Sequence, residues 1–84
     1  MKRVVLSGPA RRDLARLDRQ IAERILQALN RFAGTGQGDT IRLKGGQGEF
    51  RLRVGDWRVR FILTEGDQTI EVIRILPRGR AYRD

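Results

Sequence analysis

The stretch from Glu49 to Leu63 constrains this chain more than any other. From Glu49 to Phe61, apolar and polar residues alternate on both sides of Gly55-Asp56: Phe50, Leu52 and Val54 come before it, Trp57, Val59 and Phe61 after it. A period of two is that of a β-strand, whose side chains point in turn to opposite faces. Two such runs joined by Gly and one further residue predict a hairpin with a type II′ turn, in which glycine takes the first position because φ is positive there. A two-residue loop also fixes the register. Val54 faces Trp57, Arg53 faces Arg58, Leu52 faces Val59, Arg51 faces Arg60 and Phe50 faces Phe61. The six apolar residues then share one face, which needs a cover of helices. Arg51, Arg53, Arg58 and Arg60 share the other, with Glu49 one step beyond Arg51.

The cover is legible upstream. Val4, Val5 and Leu6 form a short β-prone run, read as a first strand over Arg3–Ser7 and ended by Gly8-Pro9. Ser7 or Gly8 serves as N-cap, and Pro9 suits the first helical position. Ala10, Leu14, Leu17 and Ile21 follow at helical spacing, and Ile21, Ile25, Leu29 and Phe32 continue it, with Leu26 and Ala28 widening the face. One bent helix or two helices both fit this pattern. Asp18 is a second N-cap, which favours a helical hairpin with its corner at Leu17-Asp18-Arg19. The second helix is expected to stop near Ala33-Gly34, at the glycine-rich stretch that runs to Gly38. Ile41 and Leu43 then mark a strand before Gly45-Gly46-Gln47-Gly48, and a last strand runs from Ile70 to Leu76, ended by Pro77. The expected fold is α+β: a small antiparallel β-sheet with an N-terminal two-helix hairpin packed on one face. At 84 residues the chain makes one domain, residues 1–84.

Composition narrows the chemistry. There is no cysteine and no histidine. Disulfides, thiol nucleophiles, zinc sites of the usual kind and every His-based acid–base mechanism are thereby excluded, and no metal or cofactor is implied. Lys+Arg number 18 against 10 Asp+Glu, a net charge of +8. Lys2 and Lys44 are the lysines; the rest are arginine, the residue suited to planar, bidentate contact with phosphate. Such a balance implies an anionic partner, although a GC-rich genome also favours arginine codons. No run approaches the ~20 apolar residues of a membrane span, and the N-terminus lacks a signal-peptide core. A cytoplasmic protein is expected.

The arginine face carries the sharpest functional signal. Like charges directly opposite one another destabilise a hairpin by up to ~1 kcal/mol per pair, and Thr or Glu would remove that penalty. Four guanidiniums in cross-strand register make a phosphate-binding surface; the alternative is a solvated charged face. Glu49 either relieves the positive charge by an ion pair or acts as a base. Arg78, Arg80, Arg83 and Tyr82 follow the last strand, a basic run interleaved with one ring that suits stacking on a base.

The strings Phe-Arg-Leu-Arg-Val-Gly-Asp-Trp-Arg-Val-Arg-Phe (50–61) and Ile-Glu-Val-Ile-Arg-Ile-Leu-Pro-Arg-Gly-Arg-Ala-Tyr (70–82) resemble the RelE branch of the RelE/ParE toxin superfamily, the toxins of type II toxin–antitoxin modules. The likeness extends to Pro-Ala-Arg-Arg-Asp-Leu (9–14) and Arg-Leu-Lys-Gly (42–45). It implies a ribosome-dependent endoribonuclease that cuts mRNA in the ribosomal A site by attack of a ribose 2′-OH on the adjacent phosphate. It also implies a cognate acidic antitoxin as partner. On the positions that match, the catalytic set is Arg51, Arg53, Arg58 and Arg78, with Tyr82 as the stacking ring; Arg60, Arg80 and Lys44 are expected as further substrate contacts. Lysines occupy the positions of Arg51 and Arg53 in the family archetype. Arginine stays protonated, so the proton acceptor is absent from its expected place. Glu49 is the substitute, Asp39 the second choice. The alternative function is that of a ParE-like toxin, which inhibits DNA gyrase by binding and carries no catalytic set.

Overall fold

In a computed structural model, which describes residues 1–43 and 48–79, the chain folds as β1 (Arg3–Leu6), α1 (Gly8–Ala15), α2 (Arg19–Thr35), β2 (Asp39–Arg42), β3 (Glu49–Val54), β4 (Trp57–Thr64) and β5 (Thr69–Pro77). The strands form one sheet in the order β1-β5-β4-β3-β2. The class is α+β, as expected. One pairing departs from an all-antiparallel sheet: β1 lies parallel to β5, with Val4 facing Ile70 and Leu6 facing Val72. β1 and β5 are not consecutive in the chain, with both helices and three strands between them, so no tight turn obliges them to run antiparallel.

The helices form where capping and periodicity coincide. The Ser7 hydroxyl accepts from the Ala10 N–H at the start of α1, and the Asp18 carboxylate accepts from the Gln20 N–H at the start of α2. The corner falls at residues 16–18, so the two-helix hairpin is real. α2 runs past Ala33-Gly34 to Thr35. It stops where the backbone first turns left-handed, at Gly36 (φ 77°), whose N–H donates to the Phe32 carbonyl. Gly34 costs some helical stability but does not force the turn.

Ile25, Leu29 and Ala33 of α2 and Ala10 of α1 meet Leu52, Val59, Phe61, Ile70, Val72 and Ile75 in the core, all of them buried. Phe61 lies between two rings, stacked on Phe50 and tilted against Phe32 at centroid distances of 5.5 and 5.4 Å. Burying a side chain of this size contributes about 1.5–3 kcal/mol. The helices therefore cover one face of the sheet and leave the other to the arginines.

Candidate functional site

The β3–β4 register is the one the Gly55-Asp56 loop dictates: Arg51 faces Arg60, Arg53 faces Arg58, and Val54 faces Trp57. Gly55 has φ 59° and Asp56 does not share the positive region, as a type II′ turn requires. The face opposite the helices can be followed strand by strand. One row runs Ile41–Arg51–Arg60–Arg74, and the next runs Asp39–Arg53–Arg58–Leu76. Glu49 belongs to a third row, with Ile62 and Glu71.

Arg58 is the most constrained of these cations. Only 6% of it is exposed. Its Nη1 donates to the carbonyls of Gly55 (3.0 Å) and Trp57 (3.1 Å), while its buried Nε has no hydrogen-bond partner among the described residues. Burial, together with the positive charges of Arg51, Arg53 and Arg78, lowers its pKa below the ordinary guanidinium value, and Asp56 pulls the other way. A buried donor left unsatisfied costs about 1–3 kcal/mol. A bound anion removes that penalty and the mutual repulsion together. Arg78 follows β5, and its N–H donates to the Asp56 carbonyl at 2.8 Å. The hairpin tip thus ties Arg58 by its side chain and Arg78 by its backbone.

Several arginines are matched by carboxylates. Arg53 Nε lies 2.9 Å from Asp39, with both side chains about half exposed (55% and 52%). A pair that open to solvent is worth at most about 1 kcal/mol. Arg60 pairs with Glu49 in a much less accessible place (14% and 16% exposed). Along a strand, the four residues from Glu49 to Arg53 span about 13 Å. Glu49 is therefore on the expected face but at the far end from Arg53 and Arg58, and Arg60 holds it there. Lys44, Arg80 and Tyr82, assigned from the sequence as substrate contacts, lie outside the described residues, as does Arg83.

Arg74 and Asp13 complete the face, and neither is evident in the sequence. Alternation from Ile70 and Val72 would place residue 74 among the core. A bulge in the β4–β5 ladder intervenes: Arg60 faces Arg74 but Phe61 faces Val72, which leaves Ile73 extra and turns Arg74 to the arginine side. The visible signal is the spacing of three between Val72 and Ile75. Asp13 of α1 receives Arg74 Nε at 2.8 Å and the Ile75 N–H at 2.9 Å. Burial pushes the Asp13 carboxyl up. The Arg74 and Ile75 hydrogen bonds and the charges of Arg74 and Arg16 outweigh it, so the net pKa lies below the ordinary 3.8. On the helix side of the hairpin tip is a cavity of about 130 Å³, lined by Ile21, Arg24, Ile25, Val54, Asp56 and Trp57. It does not open onto the arginine rows.

The sequence profile of the ParE toxin of type II toxin–antitoxin system, parDE, matches residues 4–82. The chain belongs to that family, and it is a type II toxin–antitoxin toxin of the RelE/ParE superfamily. No curated protein sequence matches it. Its fold is similar to RelE in the RelE–RelB complex from Pyrococcus horikoshii (26% identity, TM-score 0.74, 94% of this chain and 97% of that one). It is also similar to RelE in the RelB–RelE antitoxin–toxin complex from Methanococcus jannaschii (24%, 0.74, 94% and 95%). The isolated Escherichia coli RelE toxin shares the fold at 11% identity (TM-score 0.77, 99% and 90%). The α+β fold and the RelE-branch resemblance stand. Among the described residues, no helix is long and apolar enough to cross a membrane.

Proposed function

We propose that this toxin is a ribosome-dependent mRNA endoribonuclease. The observation that carries the reading is Arg58, buried on the uncovered face of the sheet, with a buried Nε that has no hydrogen-bond partner among the described residues and three further arginines acting on its charge. Attack of a 2′-OH on the neighbouring phosphate gathers negative charge on the phosphoryl oxygens, and fixed cations in a low-dielectric site stabilise that charge most. Arg51, Arg53, Arg58 and Arg78 form the clamp. Arg60, Arg80 and Lys44 extend the contact to flanking phosphates, and Tyr82 stacks on a base. Glu49 remains a proton acceptor only if it leaves Arg60. A cognate acidic antitoxin is the natural partner of the +8 charge; the archaeal RelE relatives were solved in complex with RelB. The test is cleavage of a defined mRNA on programmed ribosomes by the purified toxin, with cut sites mapped and 2′,3′-cyclic phosphate ends assayed.

The family profile is described by ParE, which favours a second reading: inhibition of DNA gyrase by binding. The same preparation tested in a supercoiling assay separates the two. Inhibited gyrase with intact mRNA selects the second.

A further inference from the structure

We propose that Asp39 is the proton acceptor of the cleavage reaction, and that the substrate phosphate uncovers it by drawing Arg53 away. The inference rests on the endoribonuclease reading. Three carboxylates stand in the rows of the arginine face, and their positions differ. Glu49 and Glu71 share a row one removed from Arg51 and two removed from Arg58. Asp39 is directly across the ladder from Arg53, in the row that continues to Arg58. At ~4.8 Å between strands, Asp39 and Arg58 are separated by about 10 Å, with Arg53 between them. A phosphate seated against Arg53 and Arg58 brings its 5′-side ribose within one strand spacing of β2. The same phosphate at that place is ~13 Å along the strand from Glu49.

The two ion pairs also differ in how readily they exchange. Glu49 and Arg60 are mostly shielded from solvent, and separating them strands two desolvated charges. Asp39 and Arg53 are about half exposed, so water and an incoming phosphate both reach them. A dianionic transition state competes for Arg53 better than a single carboxylate does. Asp39 is then left without its partner beside the 2′-OH, at the moment a proton must be taken. The charged groups facing Asp39 are Arg53 and, beyond it, Arg58 in its own row, and Arg51 one row along. Arg42 of its own strand is turned to the other face, over the Phe50 ring, and no strand pairs with the outer edge of β2 among the described residues. In the step itself the 2′-oxygen forms the new bond to phosphorus, its proton passes to Asp39 Oδ, and the bond to the 5′-oxygen breaks. That oxygen takes a proton from water.

The experiment compares wild type, Asp39→Asn and Glu49→Gln for single-turnover mRNA cleavage on programmed ribosomes as a function of pH, alongside binding of a non-cleavable 2′-deoxy RNA. Asp39→Asn is expected to lose about 10²–10⁴-fold in rate, the range of a well-placed general base, and at least tenfold more than Glu49→Gln. It is expected to lose the acid limb of the pH–rate profile. Binding of the 2′-deoxy RNA should be unchanged or tighter, because Arg53 no longer has a competitor; a merely misfolded variant would lose binding and rate together. Cleavage by Asp39→Asn at the wild-type rate, or with the acid limb intact, overturns the assignment and leaves the ribonuclease standing. Wild-type toxin that cuts nothing overturns both.

Discussion

Arg58 commits Nη1 to the carbonyls of Gly55 and Trp57, while its buried Nε has no hydrogen-bond partner among the described residues. Lysine has no second nitrogen for that division. Arg58→Lys should therefore lose about 10²–10³-fold in mRNA cleavage, as removal of one preorganised charge-stabilising donor does. Equal rates for Lys and Arg on programmed ribosomes would show that position 58 supplies only net charge. The arginine cluster is legible in the sequence because a two-residue loop leaves the register no freedom: once Gly55-Asp56 is the turn, Arg53 must face Arg58. The carboxylates are not legible in the same way. Strand parity and register put Glu49 on the right face, but they do not say that its side chain turns to Arg60, one row along on β4, rather than to Arg51 on its own strand. The choice of Asp39 for Arg53 depends on the register of β2 against β3, which no two-residue turn fixes.

At the scale of elements, α1 and β5 are joined by Asp13. β1 pairs with β5 no further than Leu6 opposite Val72, and the Ser7 N–H and hydroxyl take the next two carbonyls, those of Val72 and Ile73. Asp13 then takes the Ile75 N–H, so α1 closes the strand edge that β1 leaves open. Because its folded pKa lies below 3.8, this carboxylate contributes stability that is present above that pH and is lost as pH falls through the depressed value. Asp13→Asn should destabilise the fold by about 1–3 kcal/mol at neutral pH, the scale of a partly buried charge-assisted network. The difference from wild type should shrink in acid below the carboxylate's ordinary pKa. Urea unfolding of the two proteins over that range measures it; a difference that persists unchanged into strong acid would remove Asp13 from the account. Both helices, their corner and all five strands can be read from periodicity and capping. The parallel sense of β1, the bulge at Ile73 and the two further residues of α2 cannot, because each is set by contacts between segments far apart in the chain.

Over the whole molecule, the sheet separates two faces, with the helices on one side and the arginine rows on the other. Binding of single-stranded RNA should weaken with salt at a slope of about −0.7 for each phosphate contacted. On the proposed reading, the clamped phosphate and the flanking phosphates met by Arg60, Arg80 and Lys44 give about −3, and Arg80→Ala should reduce the slope by about 0.7. Filter binding across a salt series reads both, and a slope unaffected by the substitution would place the RNA elsewhere on the surface. The strand order has a bearing on time as well as on space. β5 is the last strand to be made, yet it lies between β1 and β4, and Arg78 follows it. Until β5 emerges, β1 has nothing to pair with, α1 has no edge to close, and Arg58 lacks the neighbour that completes its cluster. A nascent chain that carries the arginine hairpin but not β5 is therefore still without the assembled cluster.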